Sequence, residues 1–136
     1  MFFFFSSKVT QIGYPDIQNS KNRSDVLIIN TLPTNEQHCL ISGTLACQDE
    51  STAINQLITR MAYNTNEIIV YGRNTCDDSC QKKAEQLVKL GFRKVYVYSG
   101  GLFEWLLLQD VYGCEWFPTT SYVTDILKYK PGITLR

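Results

Sequence analysis

Residues 67–105 have the sequence EIIVYGRNTCDDSCQKKAEQLVKLGFRKVYVYSGGLFEW, and this stretch decides the fold. The apolar run EIIVY at its start is typical of a strand buried on both faces of a sheet. A polar segment follows, and then an amphipathic helix that Gly91 is placed to end. The apolar stripe of that helix consists of Cys80, Ala84, Leu87 and Val88. KVYVYS then predicts another buried strand and GGLFEWLLLQ a buried helix, so strands and helices alternate.

The residues before this stretch continue the alternation. VLIIN, at 26–30, predicts a further buried strand, and STAINQLITRMA, at 51–62, predicts an amphipathic helix with Ser51 as its N-cap. The apolar face of this helix consists of Ile54, Leu57, Ile58 and Met61. Such alternation predicts an α/β domain with a central, mostly parallel sheet and helices on both faces. In these sheets, ligands bind at the carboxyl ends of the strands.

The remaining segments are less regular. CLISGTLA predicts a turn and a short strand with Gly43 at the bend, SSKVT predicts a short edge strand, and YPDIQNSKNRSD predicts turns and loops. Near the C-terminus, TDILKY predicts one last helical turn. The four phenylalanines at 2–5 are too short a run for a signal peptide and lack its charged flank. We expect a buried N-terminal segment or a loose tail there.

The composition argues against several function classes. A chain of 136 residues fits one domain, 1–136, with a full core. Thirteen Lys and Arg balance thirteen Asp and Glu, so no nucleic acid partner is expected. No apolar stretch approaches the roughly 18 residues of a membrane helix, so no membrane partner is expected either. Five cysteines, an odd number without a secretory signal, predict reduced thiols and a cytoplasmic location. Neither a cofactor nor a metal is expected, because the cysteines and the single histidine, His38, lack the spacing of a zinc site.

The polar segment GRNTCDDS is the candidate site. Its residues are Gly72, Arg73, Asn74, Thr75, Cys76, Asp77, Asp78 and Ser79. Backbone N–H groups of a loop that leads into a helix carry partial positive charge and can hold an anion or a thiolate. A cysteine at the base of such a loop, directly after the strand, would have a lowered pKa. In this chain that position is Gly72, and the nearest thiol, Cys76, lies four residues further on.

The chain resembles a rhodanese-like domain over roughly residues 24–120. In that family a strand ends at the active-site cysteine, a loop and a helix follow, and then come L…GF…VY and a Gly-Gly-x-x-x-Trp motif. Here the motif consists of Gly100, Gly101 and Trp105. VLIIN resembles the family's strand that ends in Ile-Asp, and LISGTL resembles its His-Ile-Pro-Gly-Ala-Ile. The resemblance implies a three-layer rhodanese-like domain, with extensions at 1–23 and 121–136 that pack on the core or are loose.

The functional positions of the family differ in this chain. The catalytic cysteine corresponds to Gly72, and the Asp after the early strand corresponds to Asn30. The Arg two residues further on corresponds to Leu32, and the His of the Gly-Ala motif corresponds to Leu40. The glycines and tryptophan that define the fold remain. The resemblance therefore implies a divergent member, a pseudoenzyme that binds a small anion or a protein partner at loop 72–79.

Two enzymatic alternatives stay open. Cys76 as a displaced persulfide bearer would make the protein a sulfurtransferase or sulfur carrier, although Asp77 and Asp78 oppose a second anion beside them. Some rhodanese-like folds are phosphatases with a Cys-x₅-Arg loop. Counted from Cys76, the arginine position is Lys82, and a lysine replaces a bidentate guanidinium poorly. Counted from Cys80, which we expect in the core, the position is a glutamine.

Overall fold

The computed structural model describes residues 9–21 and 23–132, so the expectation for the phenylalanines at 2–5 lies outside the described residues. The strands are β1 (Thr10–Ile12), β2 (Val26–Asn30), β3 (Glu67–Tyr71) and β4 (Val95–Tyr98). The α-helices are α1 (Tyr14–Ser20), α2 (Cys47–Thr59), α3 (Ser79–Lys89) and α4 (Gly101–Tyr112). Two short 3₁₀-helices span Thr34–Glu36 and Ile126–Tyr129, and the second is the predicted last helical turn.

The strands form one parallel sheet in the order β1-β4-β3-β2. Successive side chains of β3 point to opposite faces of this sheet. Ile69 and Tyr71 join an apolar cluster with residues of α1 and α4, whereas Ile68 and Val70 join a second cluster with residues of α2 and α3. Helices therefore cover both faces, which confirms the predicted three-layer α/β architecture.

The strand and helix signals of residues 67–105 are confirmed. On α3 the predicted stripe faces the sheet, with Cys80, Ala84 and Leu87 buried. Gly91 follows the end of α3 with a φ of +115°, a region that favours glycine. Over residues 9–21 and 23–132, no helix combines the length and the apolar character needed to cross a membrane.

The segment YPDIQNS, predicted as loop, is helical. Pro15 lies in the first turn of α1, where its fixed φ fits and its missing N–H costs nothing. Ile17 and Ser20, three residues apart, turn into the core. A single buried apolar residue in a short, mostly polar helix leaves too weak a periodic signal to be recognised.

Three other local predictions were wrong. Helix α2 begins at Cys47 and not after Ser51, because acidic residues in its first turn interact favourably with the helix dipole. Met61 lies beyond the end of α2, with a φ of +56° and 77% of its surface exposed, so it does not belong to the apolar face. CLISGTLA forms no regular strand, only isolated bridges from Ile41 and Thr44.

Tyr71, the last residue of β3, ties that irregular segment to the sheet. Its fully buried hydroxyl accepts a hydrogen bond from the Ile41 N–H at 3.1 Å and shares one with the Thr44 hydroxyl at 2.8 Å. Burial raises the pKa of Tyr71, so the hydroxyl stays protonated. We expect Tyr71→Phe to lower the free energy of unfolding by about 1–2 kcal/mol, because the buried Ile41 N–H loses its partner. Urea unfolding measures this.

Tyr96→Phe is the matched control. Tyr96 lies on the neighbouring strand, is half-buried, and forms no side-chain hydrogen bond with another residue in the described ranges. An equal loss in both variants would contradict the role given to the Tyr71 hydroxyl.

Candidate functional site

Loop 72–79 lies at the carboxyl edge of the sheet, between β3 and α3. Gly72 is buried at its base. The first turn of α4 is hydrogen-bonded to the start of the loop: the Leu102 N–H donates to the Gly72 carbonyl and the Phe103 N–H to the Arg73 carbonyl, both at 3.0 Å. The predicted loop residues are therefore held together, with their base fixed against α4.

The Gly-Gly-x-x-x-Trp motif makes this contact possible. Gly101 has a φ of +69°, and a Cβ built on it would lie 2.9 Å from both the Asn74 nitrogen and the Gly72 carbonyl oxygen. Only a glycine lets the two backbones approach so closely. Trp105, one turn on, is 1% exposed and donates its indole N–H to the Pro118 carbonyl at 3.0 Å. Gly101 therefore allows α4 to approach the loop, and Trp105 is buried in the core one turn further along the helix.

A cluster around the Asp77 carboxylate occupies the base of the loop. One oxygen, Oδ2, accepts the Arg73 N–H at 3.0 Å. The other, Oδ1, accepts the Ser79 N–H at 3.0 Å and the Ser79 hydroxyl at 2.7 Å. A Cβ built on Gly72 would lie 2.8 Å from Oδ2 and 3.2 Å from the Thr31 hydroxyl oxygen. The space that a side chain at position 72 would enter is therefore filled by Asp77.

The charge of Asp77 is favoured in this position. Partial burial acts to raise its pKa, but the hydrogen bonds from the Ser79 hydroxyl, the Arg73 N–H and the Ser79 N–H outweigh burial, so the pKa of Asp77 lies below its ordinary value. The Ser79 hydroxyl in turn shares a 2.7 Å hydrogen bond with Thr31, the residue after β2. From the sequence, Asp77 was expected as a loop residue and a negative neighbour of Cys76, and no sequence pattern pointed to Thr31.

The rest of the loop is ordered by Asn74, which is buried. Its side-chain oxygen accepts the Cys76 N–H at 2.9 Å, and its side-chain nitrogen donates to the Tyr129 carbonyl at 2.8 Å. Cys76 itself is exposed at the rim. Cys80 is buried, as predicted, and burial raises the pKa of its thiol, with a further contribution from Asp77. Neither Cys76 nor Cys80 therefore places a thiol at the base of the loop, where the predicted thiol chemistry would need one.

Arg73 faces away from the loop, toward the C-terminal segment. Its guanidinium pairs with Glu36 at 3.3 Å, donates to the Lys128 carbonyl and lies over the ring of Tyr129, 5.7 Å from its centroid. Tyr129 is fully buried in the core. Residues 126–129 thus cover the start of the loop. The only sequence signal for this was the helical turn predicted at TDILKY.

The other positions at which the resemblance implied a loss of chemistry are structural as well. Asn30 accepts the Leu32 N–H at 3.0 Å and exchanges hydrogen bonds with the Gln37 amide. Leu32 and Leu40 are buried in the core. Within the described part of the chain, no three His, Cys, Asp or Glu side chains are grouped so that they could hold a metal ion.

A family model for the rhodanese-like domain matches residues 16–108. The chain belongs to the rhodanese-like domain family. The match includes β2, β3 and β4, the whole of loop 72–79, and the motif residues Gly100, Gly101 and Trp105. It ends before the C-terminal residues that cover the loop. The comparison with curated proteins gave no match.

Solved structures share the rhodanese-like fold at low sequence identity. Ygr203w of Saccharomyces cerevisiae, described as a homologue of single-domain rhodanese and of the Cdc25 phosphatase catalytic domain, is 14% identical with a TM-score of 0.59, over 93% of this chain and 96% of its own. Alr3790 of Anabaena sp. is 17% identical with a TM-score of 0.58, over 86% and 97%. EanB in complex with hercynine is 16% identical with a TM-score of 0.54, over 74% of this chain and only 26% of EanB. At these identities the likeness concerns the fold alone.

Proposed function

We propose that this rhodanese-like domain is a binding or regulatory module without sulfurtransferase activity, and that loop 72–79 is its contact surface. The observation that carries the proposal is at position 72. Gly72 has no side chain, and the space in front of its α-carbon is taken by the Asp77 carboxylate. Sulfur transfer needs a thiolate to attack and carry the sulfur. No such group stands at the base of the loop.

The outer side of the loop suits a contact surface. Thr75, Cys76 and Asp78 are exposed, while the residues on either side of them are fixed from within. Asn74 is bonded to the C-terminal segment, and Ser79 begins α3. A surface whose shape is set in advance loses little conformational entropy when a partner binds.

The experiment is a sulfur-transfer assay from thiosulfate to cyanide. We expect the wild-type protein to show no turnover above buffer, and Cys76→Ala to behave in the same way. Wild-type turnover that disappears in Cys76→Ala would overturn the proposal. A Cys47→Ala variant, which removes another exposed thiol far from the loop in sequence, is the control for losses unrelated to the loop.

The second candidate, a persulfide carrier based on Cys76, rests on one observation. Cys76 is an exposed thiol on the loop, so a sulfur donor can reach it. Mass spectrometry after exposure to a persulfide donor tests this, and absence of a one-sulfur adduct on Cys76 counts against it. The phosphatase hypothesis gains no support, because Lys82 pairs with Asp78 at 3.3 Å on the exposed surface of α3.

A further inference from the structure

The Asp77 carboxylate is bound in the manner of a small anion. Two backbone N–H groups, of Arg73 and Ser79, and the Ser79 hydroxyl donate to its two oxygens over 2.7–3.0 Å. These donors come from the second residue after β3 and from the first residue of α3, so they combine loop amides with a helix N-terminus. An oxyanion in such a loop would use the same set of donors.

We propose that Asp77 is a tethered anion that keeps small oxyanions out of loop 72–79. An incoming oxyanion would have to displace the carboxylate from its three hydrogen bonds, or else bind close to it and be repelled by its negative charge. The Cys76 N–H and the two terminal nitrogens of the Arg73 guanidinium are engaged too, whereas the buried Arg73 Nε has no partner among the described residues. The Cys76 N–H donates to Asn74, and the Arg73 guanidinium is bound to Glu36 and the Lys128 carbonyl.

This inference sharpens the proposed function. Of the two partner classes open from the sequence, a small anion or a protein, Asp77 removes the first. The consequence for the partner class rests on the proposed function, whereas the exclusion of oxyanions by Asp77 does not. The test below measures binding without turnover, so the two can fail separately.

The test is a titration of the ¹⁵N-labelled protein with sodium thiosulfate, monitored at the Gly72, Arg73 and Ser79 amides by NMR. We expect no saturable shift for the wild-type chain. For Asp77→Ala we expect saturable binding with a Kd at least about tenfold below the highest thiosulfate concentration used, because the freed donors can form charge-assisted hydrogen bonds with the added anion. Asp78→Ala is the matched control, since it removes the same charge one residue away, where the carboxylate is exposed. It should remain like the wild type.

Wild-type binding as tight as that of Asp77→Ala would overturn the proposal. So would equal gains in Asp77→Ala and Asp78→Ala, because net charge would then be the cause. A folded Asp77→Ala protein that binds no thiosulfate would also overturn it. Should Asp77→Ala fail to fold, Asp77→Asn, which keeps the size of the side chain and removes its charge, replaces it in the same titration. It must gain saturable thiosulfate binding relative to the wild type, and a folded Asp77→Asn protein without that gain would overturn the proposal.

Discussion

Gly101→Ala is expected to lower the free energy of unfolding by about 3 kcal/mol, from a positive φ and from overpacking together. The φ of +69° is strained for any residue with a side chain. In addition, the new methyl group would lie 2.9 Å from the Asn74 nitrogen and the Gly72 oxygen and 3.0 Å from the Arg73 carbonyl carbon. All three are backbone atoms and cannot swing aside, so α4 must lift away from the loop. Urea unfolding measures the loss.

Gly113→Ala separates the two causes. Gly113 also has a positive φ, +103°, but a Cβ there meets nothing within 4 Å. We expect it to cost about 2 kcal/mol, from backbone strain alone, because its φ of +103° and ψ of 159° lie in a region that is essentially restricted to glycine. The larger loss in free energy of unfolding for Gly101→Ala then reports the cost of separating α4 from the loop. Equal losses would mean that the close approach of Gly101 to the loop contributes nothing to stability.

The fold was predictable because its signals are local and repeated. Buried parallel strands are continuous apolar runs, and EIIVY and KVYVYS are such runs whatever surrounds them. The stripe on α3 and Gly91 at its end follow from helix geometry alone. Helix α1 was not predicted, because its stability comes from the packing of Ile17 against the core. This is a tertiary contact, and the sequence pattern of seven mostly polar residues does not indicate it.

The position of the candidate loop in the fold could be predicted from the sequence, but the hydrogen bonding of its side chains could not. Its position between a buried strand and an amphipathic helix follows from the pattern, and so does the glycine at its base. The orientation of Asp77 toward the Arg73 and Ser79 N–H groups depends on loop torsions that no periodicity encodes. The hydrogen bond from Asn74 to the Tyr129 carbonyl joins residues 55 positions apart, and only folding brings them together.

Placing a cysteine at position 72 should produce a reactive thiolate only if Asp77 is removed with it. In Gly72→Cys the new Cβ would lie 2.8 Å from the Asp77 Oδ2, so the thiol would compete with a carboxylate for the same donors. A neighbouring carboxylate raises the pKa of a thiol. In Gly72→Cys/Asp77→Ala the Arg73 and Ser79 N–H groups are free to stabilise the thiolate, which lowers its pKa below the ordinary value of about 8.5.

The measurement is the rate of alkylation by iodoacetamide at pH 6.5, determined for each peptide by mass spectrometry. We expect position 72 of the double variant to react about tenfold faster than in Gly72→Cys, because one pKa unit changes the thiolate fraction tenfold at this pH. The exposed Cys47 and Cys114 are internal references, whose rates should agree in both proteins. Equal rates at position 72 would mean that Asp77 does not occupy the donors of the loop. The pH dependence of the alkylation rate gives the thiol pKa independently of access to the buried position 72. A pKa that is not lowered in the double variant would mean that those donors do not converge on position 72, and the loss of the family's thiol would then have left no anion-binding scaffold behind.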